Sequence, residues 1–133
     1  MELFAVREGL KLALQEVEGL RVFDYVPDTV SPPAAIVEFP ETWTFDKAMG
    51  RGLDECFIPV LILVSRATDR AGNRGIEDYL STGHKSIKAA IEADKTLDGA
   101  CASLRVTEAR DFGNFTVGTT EHFGLRFVVH IVG

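Results

Sequence analysis

A chain of 133 residues that is 46% hydrophobic and 26% charged has the size and composition of one folded domain with its own core. Its longest apolar run, from Phe57 to Val64, falls far short of the roughly 20 residues that cross a bilayer, and the opening Met-Glu-Leu-Phe-Ala-Val-Arg-Glu lacks the basic and apolar regions of a secretory leader. A formal net charge of −6, with six Lys/Arg against eleven Asp/Glu in residues 1–66 and eight against nine in residues 67–133, disfavours a tight grip on nucleic acid, because that grip needs Lys and Arg to replace phosphate counterions.

Residues 2–18 read as an amphipathic helix. Leu3, Val6, Leu10, Ala13, Leu14 and Val17 recur at three- and four-residue spacings, and Gly19 is a suitable terminator. Gly9 costs such a helix about 1 kcal/mol relative to alanine. Leu20 to Tyr25 fits a short strand, and Val26 to Pro33 a proline-rich loop. Ala34 to Phe39 reads as a second strand, closed by Pro40. From Glu41 to Asp54 the chain makes an excursion in which Thr42–Phe45 can pair as a strand, while Ala48–Gly52 resembles a mobile tip. The aromatics there either tuck into the core or dock on a partner.

Residues 55–66 form the main strand. Ile58, Val60, Ile62 and Val64 alternate with Phe57, Leu61 and Leu63, so both faces are apolar and both need cover. Pro59 predicts a bulge or an edge near its start. A helical region in two pieces follows, with Ile76, Tyr79 and Leu80 on the inner face of the first and Ile87, Ala90 and Ile91 on that of the second. Gly83 marks the break, and Ser81 or Thr82 is available to cap the second piece. The C-terminal third is two strands, Leu104 to Phe112 and a final one in which Phe123, Leu125, Phe127, Val129 and Ile131 alternate strictly, joined by a hairpin at Gly118-Thr-Thr120. The order α-β-β-β-α-β-β predicts a single α+β domain over residues 1–133, a mainly antiparallel sheet with an N-terminal helix and a central helical segment packed on it.

Residues able to do chemistry are scattered. His122 and His130 share a strand face but stand eight residues apart, roughly 26 Å at 3.3 Å each, too far to hold one metal ion. His84 has no ligand partner at a metal spacing. All three are expected at the surface, or partly buried and satisfied by backbone. Cys56 and Cys101 sit in apolar settings and read as core filler with free thiols, the default for a cytoplasmic chain. There is no Gly-x-Ser-x-Gly elbow and no phosphate loop. Gly72-Asn-Arg-Gly75 has the G-x-x-G form of an RNA-binding KH loop without its basic flanks. Asp54-Glu55 and Glu77-Asp78 are sequence neighbours that point apart. These residues predict no catalytic site, no cofactor and no metal.

Several segments, in order, carry a resemblance: Arg7-Glu-Gly-Leu-Lys-Leu-Ala-Leu, Gly19-Leu-Arg-Val-Phe-Asp-Tyr-Val-Pro-Asp, Pro32-Pro-Ala-Ala-Ile-Val, Leu63-Val-Ser-Arg-Ala-Thr-Asp-Arg-Ala-Gly and Ser86-Ile-Lys-Ala-Ala-Ile-Glu-Ala-Asp. Together they resemble the tail terminator proteins of long-tailed bacteriophages, above all those infecting actinobacterial hosts. The resemblance implies a non-catalytic protein of the virion tail and neck, assembled in the host cytoplasm. It implies a ring, commonly a hexamer, that caps the head-proximal end of the tail tube, stops its growth and meets the head–tail connector proteins, with DNA passing through the lumen and no membrane involved.

Six copies at −6 sum to about −36, which suits a channel from which DNA must slide. Trp43, with Phe45 and Met49 beside it, is the expected partner contact. Arg51 and Arg66 either pair with acids of a neighbouring subunit or are simply solvated. Removing Ala48–Gly52 is expected to leave the fold intact and impair docking. The alternatives are another neck or head-completion component, or a small cytoplasmic enzyme or ligand-binding domain.

Overall fold

The computed structural model describes residues 1–46, 53–66 and 72–133. In chain order its elements are α1 (Leu3–Leu14), β1 (Arg21–Phe23), β2 (Ala34–Val37), β3 (Thr42–Thr44), β4 (Glu55–Arg66), α2 (Gly72–Leu80), α3 (Ile87–Glu92), β5 (Ser103–Val117) and β6 (Thr120–Val132). The expected α+β class and mainly antiparallel sheet are what the chain forms. Six strands lie in the order β1-β2-β4-β6-β5, with β3 pairing β4 off that path. The β1–β2 pair is parallel, and every other pairing is antiparallel.

The predicted first helix is shorter than expected. Val6, Leu10 and Leu14 are fully buried at four-residue spacing. Beyond Gln15 the backbone tightens into three-residue turns, with Val17 N–H donating to the Leu14 carbonyl at 3.0 Å and Leu20 N–H to that of Val17 at 3.2 Å. The tighter winding keeps Val17 and Leu20 in the core although the α-helix has ended.

Strand β4 is the centre of the sheet rather than an edge. One of its sides pairs with β6 along its whole length; the other pairs first with β3, Trp43 opposite Cys56, then with β2, Val37 opposite Val60. Pro59 is accommodated at the seam between those two short partners. Its carbonyl accepts from Glu38 N–H at 3.0 Å, so its missing donor faces the same side, where β2 has ended and β3 has not begun. The register shift falls at the far end, between Leu63 and Ser65. The bulge or edge expected near the start of β4 is thus corrected to a seam there and a bulge at its finish.

Both faces of β4 are covered, by different means. Helices α1, α2 and α3 lie on one face over Ile58, Ile62, Leu125 and Ile131, all fully buried. On the other face Ile36, Leu61, Leu63 and Val117 form a smaller cluster, with Phe23, Val30 and Phe115 against it. The tip of the β5–β6 hairpin closes that side by meeting the 26–33 loop. Gly118, at φ +62, approaches it so closely that a Cβ would lie 2.3 Å from the Asp28 carbonyl oxygen.

The two helical pieces are present, but Ser86 caps the second, its Oγ accepting from Ala89 N–H at 3.1 Å. Ser81 instead closes the turn after α2: its Oγ donates to the Asp78 carbonyl at 2.7 Å and accepts from Gly83 N–H at 3.2 Å. The imperfect alternation expected in β5 reflects two register shifts against β6, between Val106 and Glu108 and between Arg110 and Gly113, with Asp111 at φ +59 in the second.

Candidate functional site

The four expected partner-contact residues divide sharply. Trp43 sits on β3 half-buried against the main core, and its Nε1–H donates to Asp54 Oδ2 at 3.1 Å. The other oxygen of that carboxylate accepts from Asp46 N–H at 3.2 Å, and the Asp54 backbone pairs with Gly133 in both directions, at 2.7 and 3.0 Å. Trp43 is therefore a fixed part of the fold, joining β3 to the end of the chain. Phe45 is the opposite: it is 73% exposed, with its ring tilted at 6.4 Å from that of Trp43. Met49, Arg51 and the Ala48–Gly52 tip lie outside the described residues. Arg66 stands exposed at the end of β4.

Next to this corner, His130 stacks on Phe57 with centroids 4.7 Å apart, and its Nε2 lies 3.1 Å from Glu55 Oε2, at ion-pair distance but off the direction of a hydrogen bond. Further across the same sheet face runs a charged strip that the sequence did not announce. Arg126 bonds Glu38 at 2.7 Å and Asp111 at 3.3 Å while lying 4.8 Å over the Phe115 ring. Arg110 pairs with Glu41 and approaches Asp111 at 3.6 Å. These partners come from β5, β6 and the β2–β3 connection, up to 88 residues apart, and no local spacing signals them. A second aromatic corner lies beside α1. Arg7 donates to the Asp24 and Val37 carbonyls at 2.5 and 2.8 Å, with its Cζ 4.2 Å over the exposed Phe39.

Of the histidines, His84 is exposed, but His122 is a correction. It is fully buried with no hydrogen-bond partner on either ring nitrogen, neither at the surface nor satisfied by backbone. Burial, and after it the Arg66 charge, lowers its pKa and keeps it neutral. Cys56 and Cys101 are buried free thiols. Burial first, then Cys101, Asp54 and Glu55, push the Cys56 thiol up to about 11, and burial also raises Cys101. Neither is a thiolate at neutral pH. Among the described residues no group of three His, Cys, Asp or Glu side chains is placed to share a metal ion. None of the described helices is long and apolar enough to cross a membrane.

A concavity of about 780 Å³ lies on the helical side, between α1 and the 90–100 segment. Compared with protein-family profiles and with curated proteins, the chain matches none.

Proposed function

We propose that this protein is a structural component of a phage tail, a terminator that closes as a ring on the head-proximal end of the tail tube, halts its polymerisation and offers a surface to the head–tail connector. The ring is a homo-oligomer, a hexamer in the family it resembles, and DNA traverses it without being held. No catalytic site, cofactor or metal is assigned.

The observation that carries this reading is the β5 edge. Ser103–Val117 is the last strand of the sheet order, 15 residues long, and presents its outer ladder groups to the surroundings. One outer donor, Val106 N–H, is satisfied by Glu92 Oε2 at 2.8 Å. An edge of this length is a template for pairing with another chain. At the opposite edge of the sheet stands β1, three residues long. A β5 edge that pairs with a different surface of the next copy makes a head-to-tail contact, and a head-to-tail contact that closes makes a ring. Phe112, half-exposed on β5, and Phe45 add apolar area at the rims of such a contact.

Light scattering after size-exclusion chromatography, with negative-stain imaging of the protein alone and mixed with tail tubes of a long-tailed actinobacterial phage, tests the reading. Rings, or caps at one tube end that Phe112→Asp abolishes without unfolding the chain, are the expected outcome. A protein that stays monomeric and leaves both tube ends bare would overturn it.

A further inference from the structure

The outer face of α1 is not the polar face its periodicity predicts. Phe4 is 78% exposed and Leu12 56%, and both border the groove that α1 forms with the segment from Ala90 to Ala100. The floor is made by close packing of the two walls. A Cβ on Gly9 would lie 2.9 Å from the Leu97 Cβ, so the glycine that weakens the helix is what lets the second wall reach it. The far wall is held in shape by Asp94, whose carboxylate accepts from Thr96 N–H at 3.1 Å and Asp98 N–H at 2.8 Å.

The charge around the groove has one sign. Glu8 on α1 and Glu16 in the turn after it rim one side, Asp94 and Asp98 the opposite wall, and among the described residues no Lys or Arg lines it. We infer that this groove is a docking site for a basic amphipathic helix of another protein, which lays large apolar side chains between Phe4 and Leu12 and sets Lys or Arg against the four carboxylates. The groove runs along α1 and the turn after it, from Phe4 to Glu16, so its long axis suits a rod-like segment. An apolar stripe laid in such a groove is a common mode of helix recognition, and the flanking charges set partner and orientation.

A second copy of this chain is a poor occupant, because a twofold contact through this face would crowd the four carboxylates of one rim against the four of the other. An anionic lipid surface is disfavoured by the same sign. The inference does not rest on the tail-terminator reading, since the groove is on the helical side of the sheet and the proposed ring contact uses a strand edge.

The probe is a set of fluorescein-labelled synthetic peptides: a helical peptide with Leu and Phe on one face and Lys on its flanks, the same peptide with Glu for Lys, and a Lys-containing scramble without an apolar face. Fluorescence anisotropy is expected to show saturable binding of the first, at least tenfold weaker binding of the other two, and a fall in affinity with added salt. Phe4→Ser with Leu12→Ser, and separately Glu8→Lys with Glu16→Lys, should each weaken the first peptide at least tenfold while thermal unfolding stays unchanged, and the lysine pair should improve the acidic peptide. Equal binding of all three peptides would overturn the inference. So would failure of the first peptide to bind, or binding that neither variant alters. A dimer that Phe4→Ser with Leu12→Ser dissociates would reassign the face to a second copy and overturn it too.

Discussion

The Cys56 thiol is fully buried on β4, within electrostatic reach of Cys101, Asp54 and Glu55, and its pKa of about 11 leaves almost no thiolate at pH 8. A thiol-disulfide reagent at that pH is therefore expected to titrate neither cysteine in the native protein within minutes and both once guanidinium has unfolded it; prompt native labelling of either would contradict their burial. His122 makes a prediction of opposite sign in pH. Its neutral form is favoured by the fold, so its folded pKa lies below its unfolded one. Its contribution is complete above about pH 6.5, the ordinary histidine value, and is lost as pH falls from there through the lowered folded value, because the unfolded chain takes up the proton first. His122→Leu removes both the titration and the unpaired nitrogens. The variant should melt at least as high as the parent at pH 7.5 and lose less melting temperature between pH 7.5 and 5.5. Parallel melting curves for the two proteins across that range would show that His122 is not the group responsible. Glu92 does not blur this window. Its burial works against ionisation, but Lys88 and the Val106 N–H outweigh it and lower its pKa, so its loss comes at more acid pH.

At the level of elements, the Ser86 cap is the clearest local device. The hydroxyl accepts one of the first free N–H groups of a helix only six residues long. Ser86→Ala should cost about 1 kcal/mol, a fall of roughly 3 °C in melting temperature for a chain of this size. Ser81→Ala, at the turn first expected to supply the cap, should cost less, because its hydroxyl is exposed. Calorimetry on the two variants decides between the positions. Strand β4 was legible to the residue from its apolar alternation, since a strand covered on both faces must be apolar on both. The cap was not, because three candidate hydroxyls fall within six residues and only backbone geometry selects one. Trp43 illustrates the same limit from another side. Its aromatic character marked the excursion as unusual, but the carboxylate that anchors it is eleven residues on, across a segment whose path the sequence does not dictate. Trp43→Ala is expected to destabilise the fold by about 3 kcal/mol, as large aromatic deletions do, whereas Phe45→Ser should leave stability within about 0.5 kcal/mol as an exposed substitution. Only the second is then a clean test of partner contact.

For the whole molecule, the balance of charge gives the two proposed surfaces opposite responses to salt. Each chain carries −6, so bringing copies together along strand edges works against repulsion summed over the assembly, while the strand pairing that offsets it depends little on ionic strength. The charged strip on the open sheet face lessens that repulsion only locally, because Arg110 and Arg126 already have Glu41, Glu38 and Asp111 as partners within the chain. Ring formation should accordingly strengthen as sodium chloride rises from 50 to about 500 mM, over which range the screening length shortens from roughly 14 to 4 Å. Docking of a basic helix in the groove between α1 and the 90–100 segment should weaken over the same range, since there the charges attract. Sedimentation velocity for the first and anisotropy for the second, on one preparation, measure the two slopes together. If self-association falls with salt, the contact between copies is made by opposite charges rather than by strand edges, and the acidic groove, with basic residues of a neighbouring copy in it, becomes the place to look.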